Sequence, residues 1–160
     1  MLDISTVSTI IVTVSVVVGV VFTVLEIRHL TKTRRTDVIL RIYERFGHKE
    51  IVDAIMKIGG AKFDSFEEYV KKYGLADTLQ VLEIFDEVGV LLEQGLVDID
   101  LVDALFGPSV DTAWASNVQA LINGIRKNSN RASFFKYVDY LYNRLNAYNK
   151  EKTKTWHALN

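Results

Sequence analysis

The sequence lacks several residue types, and each absence narrows what the chain can be. It contains no cysteine, so thiol catalysis and disulfide bridges are excluded, which agrees with a reducing compartment. It has one proline, Pro108, and no Ser/Gly-rich linker, a composition that favours continuous helices. Its formal net charge is −1, so it has no basic excess of the kind typical of nucleic-acid-binding proteins.

Charge is also missing from one long segment. No charged residue occurs between Asp3 and Glu26, and the run from Ile4 to Leu25 consists of aliphatic residues, Phe, Ser, Thr and Gly. About 22 helical residues extend about 33 Å, which is enough to cross a hydrocarbon core of about 30 Å. A buried β segment is disfavoured by the length, and a cleaved signal peptide by the acidic N-terminus. The sequence therefore predicts a transmembrane anchor over residues 1–27.

Positive charge follows the apolar run and does not precede it. Four basic residues lie just after the run, and we expect their side chains to contact lipid headgroups: Arg28, Lys32, Arg34 and Arg35. Because basic residues beside a span remain in the cytoplasm, this asymmetry predicts an outside N-terminus and a cytoplasmic C-terminal domain in the plasma membrane. A role in topology alone is the simpler interpretation, and the two roles are compatible.

Apolar residues recur at helical spacing through residues 28–148, which predicts one cytoplasmic all-helical domain. The predicted helices cover an extension of the anchor over 26–46, then 48–58, 65–74, 75–94, 98–108, 110–127 and 132–148. Residues 149–160 are polar and are predicted to form a flexible tail. With no convincing strand, the predicted fold class is all-α, with one N-terminal transmembrane helix followed by a small cytoplasmic helical bundle.

Residues 80–145 carry a recognisable pattern of glycines and aromatic residues. It reads Phe85-x-x-x-Gly89-x-Leu91-x-x-x-Gly95, then Asp100-Leu101-Val102, Phe106-Gly107, Trp114, Arg126, Phe134, Phe135 and Tyr140. In this pattern the chain resembles an uncharacterised prokaryotic family in which a single membrane helix precedes a small helical domain of unknown function. The resemblance implies the same membrane-anchored architecture and implies no activity.

No catalytic or metal-binding pattern is present. Glu83, Asp86 and Glu87 lie along one flank of a predicted helix, but no histidine lies three or four residues away, so a solvated acidic face is favoured over a metal site. No phosphate loop or nucleophile elbow occurs. Trp114 has the spacing of a core anchor rather than of a ligand-stacking residue. We therefore expect no enzymatic activity, no cofactor, no small-molecule substrate and no nucleic-acid partner.

The remaining features indicate assembly. A stripe of small residues favours packing of the anchor against another membrane helix, although its hydroxyls could instead bond within their own helix: Ser8, Ser15, Gly19 and Thr23. On the last helix, Tyr137, Tyr140 and Tyr148 are predicted exposed interface residues.

These features predict a membrane-tethered, non-enzymatic interaction or scaffold module. Its expected partners are membrane lipids and either itself or another membrane protein. The alternative is an accessory subunit of a larger membrane complex, docked through its transmembrane helix. A pore-forming oligomer is opposed by the lack of ionisable residues in the span.

Overall fold

The computed structural model describes residues 3–115 and 118–159, without the side chains of residues 4–11, 28–35 and 156–159. The described residues form α-helices and contain no strand, which confirms the all-α class. The helices are α1 (Ile4–Phe46), α2 (Lys49–Gly60), α3 (Phe66–Tyr73), α4 (Ala76–Glu93), α5 (Ile99–Ala115), α6 (Val118–Ser129) and α7 (Lys136–Leu159). Among the described residues, no helix is both long enough and apolar enough to cross a membrane.

The chain divides into two compact units, residues 1–38 and 39–160. In the second unit α4 is central, because it packs against α2, α5 and α7. Its buried side chains include Val81, Leu82, Phe85 and Val88, and none of these is exposed to solvent. α4 has 18 residues and α7 has 24.

Local sequence signals position α3 correctly. Ser65 is followed three residues later by Glu68, which is the capping-box pattern, and it has an extended backbone and accepts a hydrogen bond from the Glu68 N–H at 3.1 Å. The Glu68 carboxylate accepts from the N–H of Asp64 at 2.9 Å, one residue before the cap. Gly74 follows the helix with φ +76°, a conformation that L side chains rarely adopt.

The predicted helix boundary at Pro108 is wrong. α5 continues through this proline to Ala115, although a proline cannot donate the helical hydrogen bond. Val102, Phe106, Val110 and Ala113 are all fully buried and form one apolar stripe across the proline. We attribute the continuity to this shared burial, which opposes a cost of about 3 kcal/mol for proline inside a helix.

Both ends of the last helix differ from the prediction of 132–148. α7 begins at Lys136, because residues 132–135 form turns, and it continues to Leu159. The segment predicted as a polar tail is therefore helical up to Leu159. Lys152 forms an ion pair with Asp103 of α5 at 3.3 Å, so contact with another helix supports the extension.

Candidate functional site

The small residues Ser15, Gly19 and Thr23 lie in the described part of α1. Thr23 Oγ1 donates a hydrogen bond to the Gly19 carbonyl oxygen at 2.8 Å, so this hydroxyl bonds within its own helix. A Cβ on Gly19 would meet no atom within 4 Å, which leaves the helix surface open there. The Ser8 side chain lies outside the described residues, and packing of the stripe against a second helix stays a prediction.

The four basic residues expected at the lipid headgroups follow on the same helix. Arg28, Lys32, Arg34 and Arg35 belong to α1, but their side chains lie outside the described ones. Their contact with lipid therefore also stays a prediction.

The described apolar side chains that precede this basic segment are exposed. Every Val, Leu, Ile and Phe side chain from Val12 to Ile27 has between 45% and 68% of its surface exposed. These side chains cover all sides of the helix, since consecutive residues such as Val16, Val17 and Val18 are each rotated by about 100°. A helix that is apolar on every side is normally covered by lipid or by protein.

The three tyrosines predicted as an exposed interface are half-buried. Tyr140 packs against the core, and the Tyr148 hydroxyl donates a hydrogen bond to Asp100 of α5. The full exposure predicted for Tyr137, Tyr140 and Tyr148 is therefore wrong, because each of them is half-buried. Whether their remaining exposed surface contacts a partner is still a prediction.

Trp114 lies at the edge of the core, where its ring stacks on Tyr142. The ring centroids are 4.1 Å apart and the ring planes differ by 9°. Both residues are half-buried and pack against the apolar core, so Trp114 does anchor α5 to α7.

The backbones of α4 and α7 approach each other closely where α7 begins. Asp86 Oδ1 on α4 accepts hydrogen bonds from the N–H groups of Tyr137 at 3.0 Å and Val138 at 3.2 Å. Gly89 lies one turn further along α4, where a Cβ would be 2.2 Å from the Tyr137 carbonyl oxygen. Asp86 thus caps the start of α7 from another helix, and Gly89 leaves the space that this contact requires.

Arg126 of α6 holds the turn that leads into α7. Its guanidinium donates to the carbonyl oxygens of Phe134 at 2.8 Å and Phe135 at 3.3 Å, and to the Asp139 carboxylate at 2.6 Å. Phe135 is buried and has φ +54°, a left-handed conformation that is unfavourable for a bulky residue. Arg126 therefore stabilises a strained turn that directs α7 onto α4.

The Asp86 carboxyl is half-buried, and this burial raises its pKa above the ordinary value of 3.8. The N–H groups of Tyr137 and Val138, and the charges of Lys136 and Arg126, partly oppose the rise in pKa. A carboxyl whose pKa is higher in the folded state stabilises the fold most at low pH, and this contribution is lost as the pH rises through the folded-state pKa.

We expect Asp86→Asn to become more stable relative to the wild type as the pH rises from 4 to 7. Asparagine retains an acceptor oxygen for the α7 N–H groups and carries no charge to desolvate. Asp86→Ala lacks the acceptor and should be about 1 kcal/mol less stable than Asp86→Asn at either pH, because neither variant titrates at this position. Denaturant unfolding at the two pH values measures both effects, and a pH-independent difference between Asp86→Asn and the wild type would contradict the assigned pKa shift.

A cleft of about 240 Å³ opens between the end of α1, α2 and α4. Its lining includes one arginine, three glutamates and two isoleucines: Arg45, Glu50, Ile51, Glu83, Ile84 and Glu87. His48 and Gln80 complete the lining. Arg45 forms an ion pair with Glu87, and both side chains are about half exposed.

The three carboxylates of α4 have separate roles rather than forming one solvated face. Asp86 caps α7, Glu87 pairs with Arg45, and the exposed Glu83 lines the cleft. The prediction of a shared solvated face is thus wrong for Asp86, which is half-buried. No group of three or more metal-ligating side chains is found in the described part of the chain. The sequence offers no cue to the Asp86 contact, because its partners lie 51 and 52 residues away.

Comparison with known proteins assigns a family and no activity. No curated protein and no solved structure gives a significant match to this chain. One protein-family profile matches residues 13–145, and it describes a domain of unknown function, DUF4760. The match covers most of the chain, including all of α2 to α6. The chain therefore belongs to the DUF4760 family.

Proposed function

We propose that this protein is a membrane-tethered helical interaction module without enzymatic activity, acting at the cytoplasmic face of the membrane. The observation that carries the proposal is the exposed apolar surface of α1 from Val12 to Ile27. In water, an exposed apolar surface of this extent favours association, whereas acyl chains would cover it without a partner.

The sequence supports an anchor that is longer than the segment whose apolar side chains are described. The charge-free run starts at Ile4, but the side chains of residues 4–11 lie outside the described ones. The backbone is helical from Ile4 onward, and a helix satisfies its own backbone hydrogen bonds inside a bilayer. The charge asymmetry around the run, with Asp3 before it and Arg28 to Arg35 after it, supports a cytoplasmic second unit.

The half-buried charged side chains of the second unit serve its own packing, and exposed apolar surface is what it offers to a partner. Its half-buried charged groups join helices to one another, as Asp86 does for α7 and Arg126 does for the preceding turn. Apolar surface remains on α2, where Met56 is 68% exposed and Val52 is 40% exposed.

If the anchor instead docks on a larger membrane complex, the protein is an accessory subunit and the Val12–Ile27 surface contacts protein rather than lipid.

The anchor is tested by placing charge in the middle of the apolar run. We expect Val14→Asp with Val17→Asp to release the full-length protein from membranes, because each acidic residue near a span centre costs about 3 kcal/mol. The measurement is the fraction that floats with vesicles after an alkaline wash. Val38→Asp is the matched control, because Val38 is an exposed valine on the same helix beyond the run. Wild-type protein that stays at the bottom of the gradient would refute the anchor.

A further inference from the structure

Charge in the cleft between α2 and α4 is unbalanced. Three carboxylates line it, and one guanidinium, that of Arg45, compensates Glu87. Glu50 and Glu83 form no ion pair with any described side chain, although both line the same space. The cleft thus already holds one cationic group from its own chain and retains acidic lining for a second.

The floor of the cleft is apolar. Ile51 is 7% exposed and Ile84 is 3% exposed, so these side chains form a buried surface beneath the exposed glutamates. A ligand that fits both features carries a positive charge at the end of an aliphatic stem. Lysine and arginine side chains have this chemistry, since their methylene groups cover apolar surface while the charged end remains near water.

We propose that the α2–α4 cleft binds a lysine or arginine side chain presented by a protein partner, between Glu50 and Glu83 and above Ile51 and Ile84. The inference deepens the proposed function and rests on it, since it names the chemistry of the partner that the tethered module binds. The cleft is open, so a single residue binds weakly. Confinement to the membrane surface raises the effective concentration of a partner in the same membrane.

The test is a titration of full-length protein in nanodiscs of neutral phosphatidylcholine, followed by NMR of isoleucine methyl groups. The probe is the tripeptide acetyl-Ala-Lys-Ala-amide. We expect saturable shifts of the Ile51 and Ile84 methyl signals that disappear at high salt, because exposed ion pairs are screened. The tripeptide with glutamate in place of lysine should produce none.

Substitution of the unpaired carboxylates gives the decisive comparison. Glu83→Gln should weaken lysine tripeptide binding by about threefold to fivefold, and Glu50→Gln by a similar factor. Glu93→Gln is the matched control, because Glu93 is exposed on α4 but does not line the cleft, and it should bind as the wild type does.

Three results would overturn the inference. They are the absence of saturable shifts, equal binding by the wild type and Glu83→Gln, and tighter binding of the singly charged amine n-butylamine than of the lysine tripeptide at these carboxylates. The third result would assign the cleft to a free amine rather than to a protein side chain. Elution of the protein together with the nanodisc tests the anchor separately, so failure of the titration alone leaves the proposed function standing.

Discussion

Replacing Phe106 with alanine is expected to lower the unfolding free energy of the second unit by about 3–5 kcal/mol. Phe106 is fully buried on α5, and its ring meets two aromatic rings from the end of α1. The centroid distances are 5.1 Å to Phe46 and 5.7 Å to Tyr43, both in edge-to-face geometry. The substitution removes these ring contacts and leaves a cavity that neighbouring helices fill only in part.

Denaturant unfolding of the full-length protein in mild detergent, monitored by circular dichroism, measures this loss. The matched control is Phe134→Ala, because Phe134 is 36% exposed and lies in the turn before α7. We expect the control to lose much less stability than Phe106→Ala. Comparable losses in the two variants would show that Phe106 does not have the central packing role that its burial indicates.

Replacing Gly89 with alanine is expected to lower the unfolding free energy by about 2–3 kcal/mol, in the upper part of the range of about 1–3 kcal/mol that overpacking usually costs. The new Cβ would lie 2.2 Å from the Tyr137 carbonyl oxygen and 2.8 Å from its carbonyl carbon. These are backbone atoms held by the Asp86 hydrogen bonds, so they cannot move without shifting the start of α7. The clash outweighs the gain of about 1 kcal/mol that alanine otherwise brings to a helix.

Gly60→Ala is the control for this prediction. Gly60 is the last residue of α2, and a Cβ there would meet no atom within 4 Å. This variant should be as stable as the wild type or slightly more stable, because alanine restricts the unfolded chain. If Gly89→Ala unfolds at the same denaturant concentration as Gly60→Ala, the close approach of α7 to α4 is incorrect.

Structure governed by local interactions was predictable from the sequence. The end of α1 at Phe46 and the cap of α3 by Ser65 depend on residues within one helical turn. The all-helical class also follows from apolar spacing along the chain, because helix hydrogen bonds join residues four apart. The charge-free run from Ile4 to Leu25 is also a local feature, and its composition alone supports the proposed anchor.

Contacts between residues that are distant in sequence determined the features that the sequence did not predict. Pro108 predicts a break that does not occur, because burial of Phe106 and Val110 on one core keeps α5 continuous. The cleft likewise combines Glu50 of α2 with Glu83 of α4, which become neighbours only when the two helices pack.

The α4–α7 junction gives the physical reason for this division. Sequence by itself determined that Asp86 and Gly89 lie one turn apart on a helix. Only the tertiary structure decided that Asp86 caps α7 and that the lack of a side chain on Gly89 lets the Tyr137 backbone approach α4 closely. Periodicity reports which face of a helix is apolar, but it contains no information about which other helix packs against that face.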